Sequence, residues 1–479
     1  MTQFRDILMA ENILDERPDA ERKVLGVGLP AVGWALAEAG RIPYVALISI
    51  SVFVPYFATQ VVGDPVRGQA IVAVMGTIAG LIAGFTAPLL GATLDALGPR
   101  KPWIALGTAL QAVLLCTLWW ALPNGAGLSV PALVIALALI KVLYAYTEVL
   151  HNSMMPFQAD RRTIHRVSAL GMAVGSLSGV LIMSFVLIAF SLPGRVDWSW
   201  VPTVPLFGLD QSRFEQARIT GPLAGGLLFL AILPLLWLAK DAPKAQTRFL
   251  DAIGHGARYL VHLPTKLKGN RDGALFLIFR MIFADGAVAL VIFGGVYAAG
   301  VMHWGGVQLL IIGIMRMFCA ALGSMVAGWL DGRFGCKRAV QIQLFGMILL
   351  VIAMIGTTPT QILYFWSYTG PGAVDNALFS GPPEWVFLGI VVAIAFVSLG
   401  LQSSSRSFLS RISPPDQTGA YFGLYALTGS ATSWLGPLAV GLATEYFGTQ
   451  QAGMVPIVAF LIVGLAGLFL IRSRVDGSD

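Results

Sequence analysis

Twelve long apolar runs dominate the chain and leave it few folds to choose from. They lie near residues 31–60, 69–92, 102–122, 130–153, 166–191, 219–239, 274–299, 306–329, 338–357, 384–405, 418–443 and 453–471. Each approaches or exceeds the roughly 20 residues a helix needs to cross a bilayer. Each is apolar around most of its circumference, which leaves no wet face for a soluble helix. Within lipid every backbone N–H and C=O must be satisfied internally, so only helices and closed barrels can span. Runs of this length and apolar character predict helices. Charged residues make up 12% of the chain, about half the usual share of a soluble domain. There is too little charge to coat a water-facing surface.

Lys and Arg set the expected orientation. With the first residues in the cytoplasm, the cytoplasmic segments hold 23 of the 31 basic residues. The opposite loops hold Arg67, Arg195, Arg213 and Arg218. That skew predicts both termini inside. The first 29 residues are polar and contain no secretory signal. The expected organisation is a cytoplasmic segment 1–29, a six-helix bundle 30–239, a cytoplasmic linker 240–273, and a second six-helix bundle with a short tail, 274–479. The linker stretch "TRFLDAIGHGARYLVHL" has apolar residues at helical spacing, which suits a linker helix or one lying on the membrane surface. Cys116, Cys319 and Cys336 form no CxxC pair, so neither a disulfide framework nor a metal site is expected.

Two short loops repeat. "GATLDALGPRK" begins at Gly91 and "GWLDGRFGCKR" at Gly328, each with a second glycine seven positions on and then two basic residues. They fall between spans two and three and between spans eight and nine, which correspond under a six-plus-six repeat, a transporter signature. Phosphate binding would need a pattern such as GxxxxGK[ST], which is absent. The residues read instead as a cytoplasmic gate. Gly98 and Gly335 allow the turn, Asp95 and Asp331 end a helix, and Arg100, Lys101, Arg333, Lys337 and Arg338 are available to pair. The rival is a static turn that supplies only positive charge.

These loops resemble the loop motif of the major facilitator superfamily. Ala96 stands where that motif has an arginine, and Asp331 sits one residue early. Further stretches resemble its "unknown major facilitator" family, related to the autophagy-linked vacuolar amino-acid effluxers: "WALAEAGRIPY" from Trp34, "HNSMMPFQADRRTIHRVSALGMAVGSLSG" from His151, "RMIFADGAVALVIFGGVYAAG" from Arg280 and "SRSFLSRISPPDQTGAYFGLYALTGSATSWLGPL" from Ser405. Glu38 replaces the family aspartate and Gly40-Arg41 its Ala-Asn. The resemblance implies an all-α membrane protein of twelve helices in two six-helix bundles.

Ionisable groups at membrane depth are costly and mark function by default. Glu38 and Arg41 share one face of the first helix, as a structural ion pair or a coupling pair. Lys141, Tyr144, Glu148 and Asn152 form a polar stripe on the fourth. Arg280 and Asp285 sit in the seventh helix, pointing different ways; Arg316 sits in the eighth. His151 reads as a proton shuttle or as a merely hydrogen-bonded side chain. No nucleophile-base pattern suggests an enzyme, no cofactor motif is present, and no basic-aromatic surface suggests nucleic acid.

Basic residues in the spans outnumber acidic ones. The expected function is secondary active transport, by alternating access, of a small polar solute with an anionic or zwitterionic, amino-acid-like character. Protons or another cation are the expected coupling ions and Asp285 the first candidate carrier. A monomer in a bacterial inner membrane is the expected setting. A cation-coupled sugar or glycoside symporter stays open, because "LGPRKPW" resembles a loop of the glycoside-pentoside-hexuronide symporters and Trp34, Tyr144, Tyr146, Tyr421 and Tyr425 are candidate sugar-stacking rings. A non-transporting assembly factor or sensor is the third reading.

Overall fold

The computed structural model describes residues 28–472, apart from 159–163, 197, 244–250, 255–256, 259–269, 371–378, 380, 414–420, 422–423, 426–428 and 430–431. Most of the 240–273 linker, the first 27 residues and much of the eleventh expected span thus lie outside the described residues. We label the helices α1 (Leu29–Val61), α2 (Pro65–Leu97), α3 (Lys101–Thr117), α4 (Val130–Met154), α5 (Ile164–Val186) and α6 (Thr220–Leu238). Then follow α7 (Arg271–Val301), α8 (Gly306–Phe334), α9 (Cys336–Ile355), α10 (Pro382–Ile412), α11 (Leu435–Phe447) and α12 (Gln450–Phe469). Ten of these are long and apolar enough to cross a membrane. The other two are α8, whose apolar part is Gly306–Cys319, and α11, described from Leu435 onward.

Local chemistry sets the helix ends. Asp64 caps α2 by accepting from the N–H groups of Val66 and Arg67, with Pro65 in the first turn, where its missing N–H costs nothing. Asn270 caps α7 and Thr449 caps α12 in the same way. α2 and α8 end at Gly98 and Gly335, with φ of +100° and +80°. A Cβ is strained in that region, so the two glycines permit the turns assigned to them.

Prolines mark the irregular parts of α1. Pro43 has no N–H to offer the Ala39 carbonyl one turn back. The hydroxyl of Ser178 on α5 donates to that carbonyl instead, at 2.6 Å. Beyond Pro43 the helix widens into π geometry over Val45–Ser51 and again over Phe57–Val61, around Pro55.

Packing repeats with an offset of six. α2 lies on α4, α3 on α4 and α6, and α1 on α6; correspondingly α8 lies on α10, α9 on α10 and α12, and α7 on α12. The halves meet where α2 touches α11, α5 touches α8 and α1 touches α7. Small residues permit the closest approaches. On α5, a Cβ at Gly171 would lie 2.9 Å from the Trp34 ring, one at Gly175 2.6 Å from Ile42, and one at Gly179 2.6 Å from Met317 on α8. Large apolar side chains face outward around the perimeter, including Phe85, Val113, Leu177, Trp237, Phe345 and Phe469. Such a belt is stable only against lipid tails. The chain is a multi-pass integral membrane protein with the major facilitator fold. Between α9 and α10 a short hairpin, β1 (Gln361–Ile362) with β2 (Trp366–Ser367), exposes Phe365.

Candidate functional site

The polar residues of α1 and α4 converge in the first half. Arg41 is buried, and its Nη1 donates to Glu38 Oε1 at 2.9 Å. The same nitrogen lies 3.0 Å from Nδ1 of His151, on α4. Glu148 Oε2 is 3.9 Å from Arg41 Nη2, and the guanidinium lies 5.0 Å from the centre of the Tyr144 ring. His151 is held on its other side by α1. Its Nε2 is 3.0 Å from the Trp34 carbonyl, its own carbonyl accepts from the Trp34 indole at 2.8 Å, and the two rings stack at 4.3 Å. The Glu38–Arg41 pair therefore forms one cluster with Tyr144, Glu148 and His151 of α4. Asn152 is exposed and takes no part in it among the described residues.

Lys141 sits one helical turn from Tyr144, where α4, α2 and α11 meet. A Cβ at Gly76 of α2 would lie 3.6 Å from its Nζ and 3.2 Å from Pro437 of α11. Arg316 of α8 lines a small cavity with Ser51 of α1, Gly295 of α7 and Trp304. Among the described residues neither cation has a hydrogen-bond or ion-pair partner. Both lie at the joint between the halves, one contributed by each.

The second half places Arg280 and Asp285 apart. Arg280 donates to the Tyr425 carbonyl at 2.9 Å and lies 3.6 Å over the Tyr425 ring. Asp285 is buried, bonds with the Thr432 side chain, and has one carboxylate oxygen without a partner among the described residues.

The repeated loops are tied within their own halves. Asp241, just beyond α6, accepts from the backbone N–H groups of Arg100 and Lys101, all at 3.0 Å, and so caps α3. Arg100 Nε donates to Ser153 at 2.7 Å and Lys101 Nζ to the Leu236 carbonyl at 2.8 Å. Lys337 Nζ donates to the Ile471 carbonyl at 2.8 Å. Asp331 is buried beside Cys336, while Arg333 and Arg338 are exposed. The Asp95 side chain lies outside the described residues.

The halves are clasped at the opposite end. Gln69 Nε2 of α2 donates to Thr444 Oγ1 of α11 at 2.8 Å and to the Gln450 carbonyl at 3.3 Å; Gln450 Nε2 returns a bond to the Pro65 carbonyl at 3.1 Å. Sequence reasoning passed over this clasp. The available signal was a glutamine, Gln69, at the very start of the apolar run 69–92. Trp34 was expected as a sugar-stacking ring; it is 4% exposed and covered by His151. Tyr421 is fully buried and Tyr425 is occupied by Arg280, so neither presents a free face to a solute.

Residues 57–476 match the family model described as "Vacuole effluxer Atg22 like". Autophagy-related protein 22 of Cryptococcus neoformans is 22% identical over 302 residues, covering 63% of this chain and 51% of the relative. The chain thus spans about half the length of the curated relatives it matches first. An uncharacterized MFS-type transporter of Bacillus subtilis, YxiO, is 19% identical over 447 residues, 90% of this chain and 92% of that one. Among solved structures, the inward open conformation of the xylose transporter XylE from E. coli superposes with a TM-score of 0.61 at 13% identity, covering 94% of this chain and 97% of that one.

Proposed function

The chain belongs to the vacuole effluxer Atg22-like family, and from that premise we propose that it is a secondary transporter of small solutes carrying a carboxylate, amino acids foremost. It works by alternating access between an N-terminal half, 30–239, and a C-terminal half, 274–479, joined by the linker 240–273. The observation that carries the solute class is the pair Lys141 and Arg316. Two cations at the joint, one from each half and neither paired among the described residues, suit a ligand that brings the missing negative charge. A carboxylate bound at either would touch both moving bodies, since Lys141 lies beside Pro437 of the other half and Arg316 beside Ser51. Unpaired cations at membrane depth are expensive, so ligand binding recovers more here than at a prepaired site.

The skew of Lys and Arg supports cytoplasmic termini, and the short loops together with the family resemblance support a bacterial inner membrane as the setting. In that orientation the Gln69–Thr444–Gln450 clasp holds the outer ends of the two halves together. The repeated loops, with Asp95, Gly98, Arg100, Lys101, Asp331, Arg333, Gly335, Lys337 and Arg338, act as gate elements when the inner ends approach. Arg41, Arg280, Tyr144 and Glu148 line the route, and Glu38, Glu148 and Asp285 are the carboxylates available for coupling to protons.

The test is counterflow in proteoliposomes preloaded with each amino acid and, in parallel, with neutral sugars. Exchange of an amino acid that falls at least tenfold in both Lys141→Ala and Arg316→Ala supports the reading. Exchange of a neutral sugar alone, or no exchange of any solute, refutes it and favours the symporter or the assembly-factor reading respectively.

A further inference from the structure

Three atoms in the first half form a triangle with sides of hydrogen-bond length. Arg41 Nη1 is 2.9 Å from Glu38 Oε1 and 3.0 Å from His151 Nδ1, and Nδ1 is 3.2 Å from Oε1. The fourth contact fixes how this triangle is protonated. His151 Nε2 faces the Trp34 carbonyl at 3.0 Å, and a carbonyl oxygen only accepts, so Nε2 carries a hydrogen. Nδ1 is then the single position on the ring that gains or loses a proton.

The two states of Nδ1 use different partners. Bare, it accepts a hydrogen from Arg41. Protonated, it donates to Glu38 Oε1 and offers Arg41 nothing. One nitrogen cannot do both. Protonation therefore replaces one side of the triangle by another and takes an acceptor from Arg41. The guanidinium then has Glu148 at 3.9 Å, half exposed, and the Tyr144 ring as its remaining neighbours besides Glu38. Its Nε already lacks a partner among the described residues.

Charge counting points the same way. With Nδ1 bare, the cluster of Glu38, Arg41 and His151 is neutral; with Nδ1 protonated it carries one positive charge inside a buried site. Around His151 the described residues contribute Glu38 and Arg41 from α1 and Tyr144 and Glu148 from α4. The apolar cluster around its ring partner Trp34 adds Val167 from α5, Ile232 and Leu235 from α6 and Ile104 from α3, and Gly171 of α5 faces the Trp34 ring. The nearest cation from the α2–α3 connection is Arg100, bound to Ser153. Beyond Glu38, whose charge Arg41 already balances, and the half-exposed Glu148, none of these neighbours supplies a negative charge to absorb the added proton.

We propose that His151 Nδ1 is a proton-binding site, and that its protonation frees the Arg41 guanidinium to receive an anionic group of the solute. Proton and carboxylate then bind together: the proton passes from water to Nδ1, and the anion neutralises the charge it adds. Each raises the affinity for the other by the same factor, as linkage requires. The anion half of this inference rests on the carboxylate reading above; the proton half does not.

The experiment is ¹⁵N NMR of the purified full-length protein with labelled histidine. The chain has five histidines, and His151→Gln assigns the ring by loss of its signals. If that variant does not fold, replacing His165, His255, His262 and His303 by Gln isolates the same signals. His151 is expected to be the Nε2–H tautomer at pH 9 and doubly protonated on acidification. Glu38→Gln, which removes the charge that receives Nδ1–H, should lower the midpoint by at least one pH unit. An equimolar mixture of the twenty amino acids should raise it by at least half a unit in the unsubstituted protein. A ring that stays singly protonated down to pH 5, or a midpoint indifferent to Glu38→Gln, overturns the proton site even if proteoliposomes exchange amino acids. A midpoint that the mixture does not move, in a protein that does exchange them, overturns the coupling. Failure of all amino-acid exchange, with the tautomer and the Glu38 effect as stated, supports the proton site and refutes only the solute class.

Discussion

Replacing Gln69 by Leu should loosen the clasp between the halves and populate the conformation open at that end. Gln69 is fully buried, and its amide makes two hydrogen bonds across the joint, to Thr444 and to the Gln450 carbonyl. A typical internal hydrogen bond contributes about 1 kcal/mol net. The longer bond, at 3.3 Å, counts for less. The acceptors left behind bear little penalty. Thr444 Oγ1 keeps its own bond to the Val440 carbonyl at 2.7 Å. Gln69 Oε1 has no described partner, so removing it relieves one unsatisfied atom. The net loss is about 1–2 kcal/mol, a factor of roughly 5–30 in the ratio of the two conformations. Spin labels at Asn124 and Phe365, both exposed at this end in opposite halves, read that ratio after Cys116, Cys319 and Cys336 are replaced. Pulsed dipolar spectroscopy should show a longer-distance population growing at the expense of the present one. An unchanged distribution, or a shift toward shorter distances, refutes the claim that this clasp holds the end closed.

Four further outcomes follow from other parts of the molecule. Reporter fusions after residues 125 and 205 should read outside, and those after residue 258 and at the C-terminus should read cytoplasm; one reversed site breaks the topology. Gly335→Ala should destabilise by about 1–3 kcal/mol because of the positive φ there, whereas Gly332→Ala, within α8 with open space around it, should be neutral in thermal denaturation. Asp241→Ala should cost about 1 kcal/mol by uncapping α3, and Asp241→Asn should recover part of the loss in the same assay. Asp285→Asn should abolish accumulation driven by a pH gradient and spare exchange if that carboxylate carries the coupling proton; unaffected accumulation removes it from the coupling pathway.

Much of the architecture was legible because it depends on one solvent property. Lipid accepts no unpaired backbone group, so long apolar runs had to become helices, and the six-plus-six packing follows the repeat seen in the loops at Gly91 and Gly328. Spacing along one helix was equally readable: Glu38 with Arg41, and Tyr144 with Glu148. Contacts between helices were not. His151 meets Arg41 across 110 residues and Gln69 meets Thr444 across 375, and both meetings depend on how far glycine-lined surfaces let helices approach. The aromatic residues misled for the same reason. A tryptophan in an apolar run carries no mark that says whether its face meets a solute or, as for Trp34, a histidine. Arg100 and Lys101 looked available for a partner across the gate because Asp241, which binds their backbone, lies far along the chain.

The widened turns of α1 act as a change of gear along a single shaft. A π turn carries one residue more than an α turn, and each residue of helix advances the azimuth by about 100°. The segment before Val45 aims Glu38 and Arg41 at α4. The segment after it delivers Ile50 against Gly295 of α7 and Ser51 against Gly313 of α8, with no room for a Cβ at either glycine. Winding residues 45–51 as an ordinary α-helix with every residue kept would swing the later contacts about 100° off their seats. The phase between the charged end of α1 and its pivot end is therefore stored in backbone winding, where no side-chain substitution can reset it.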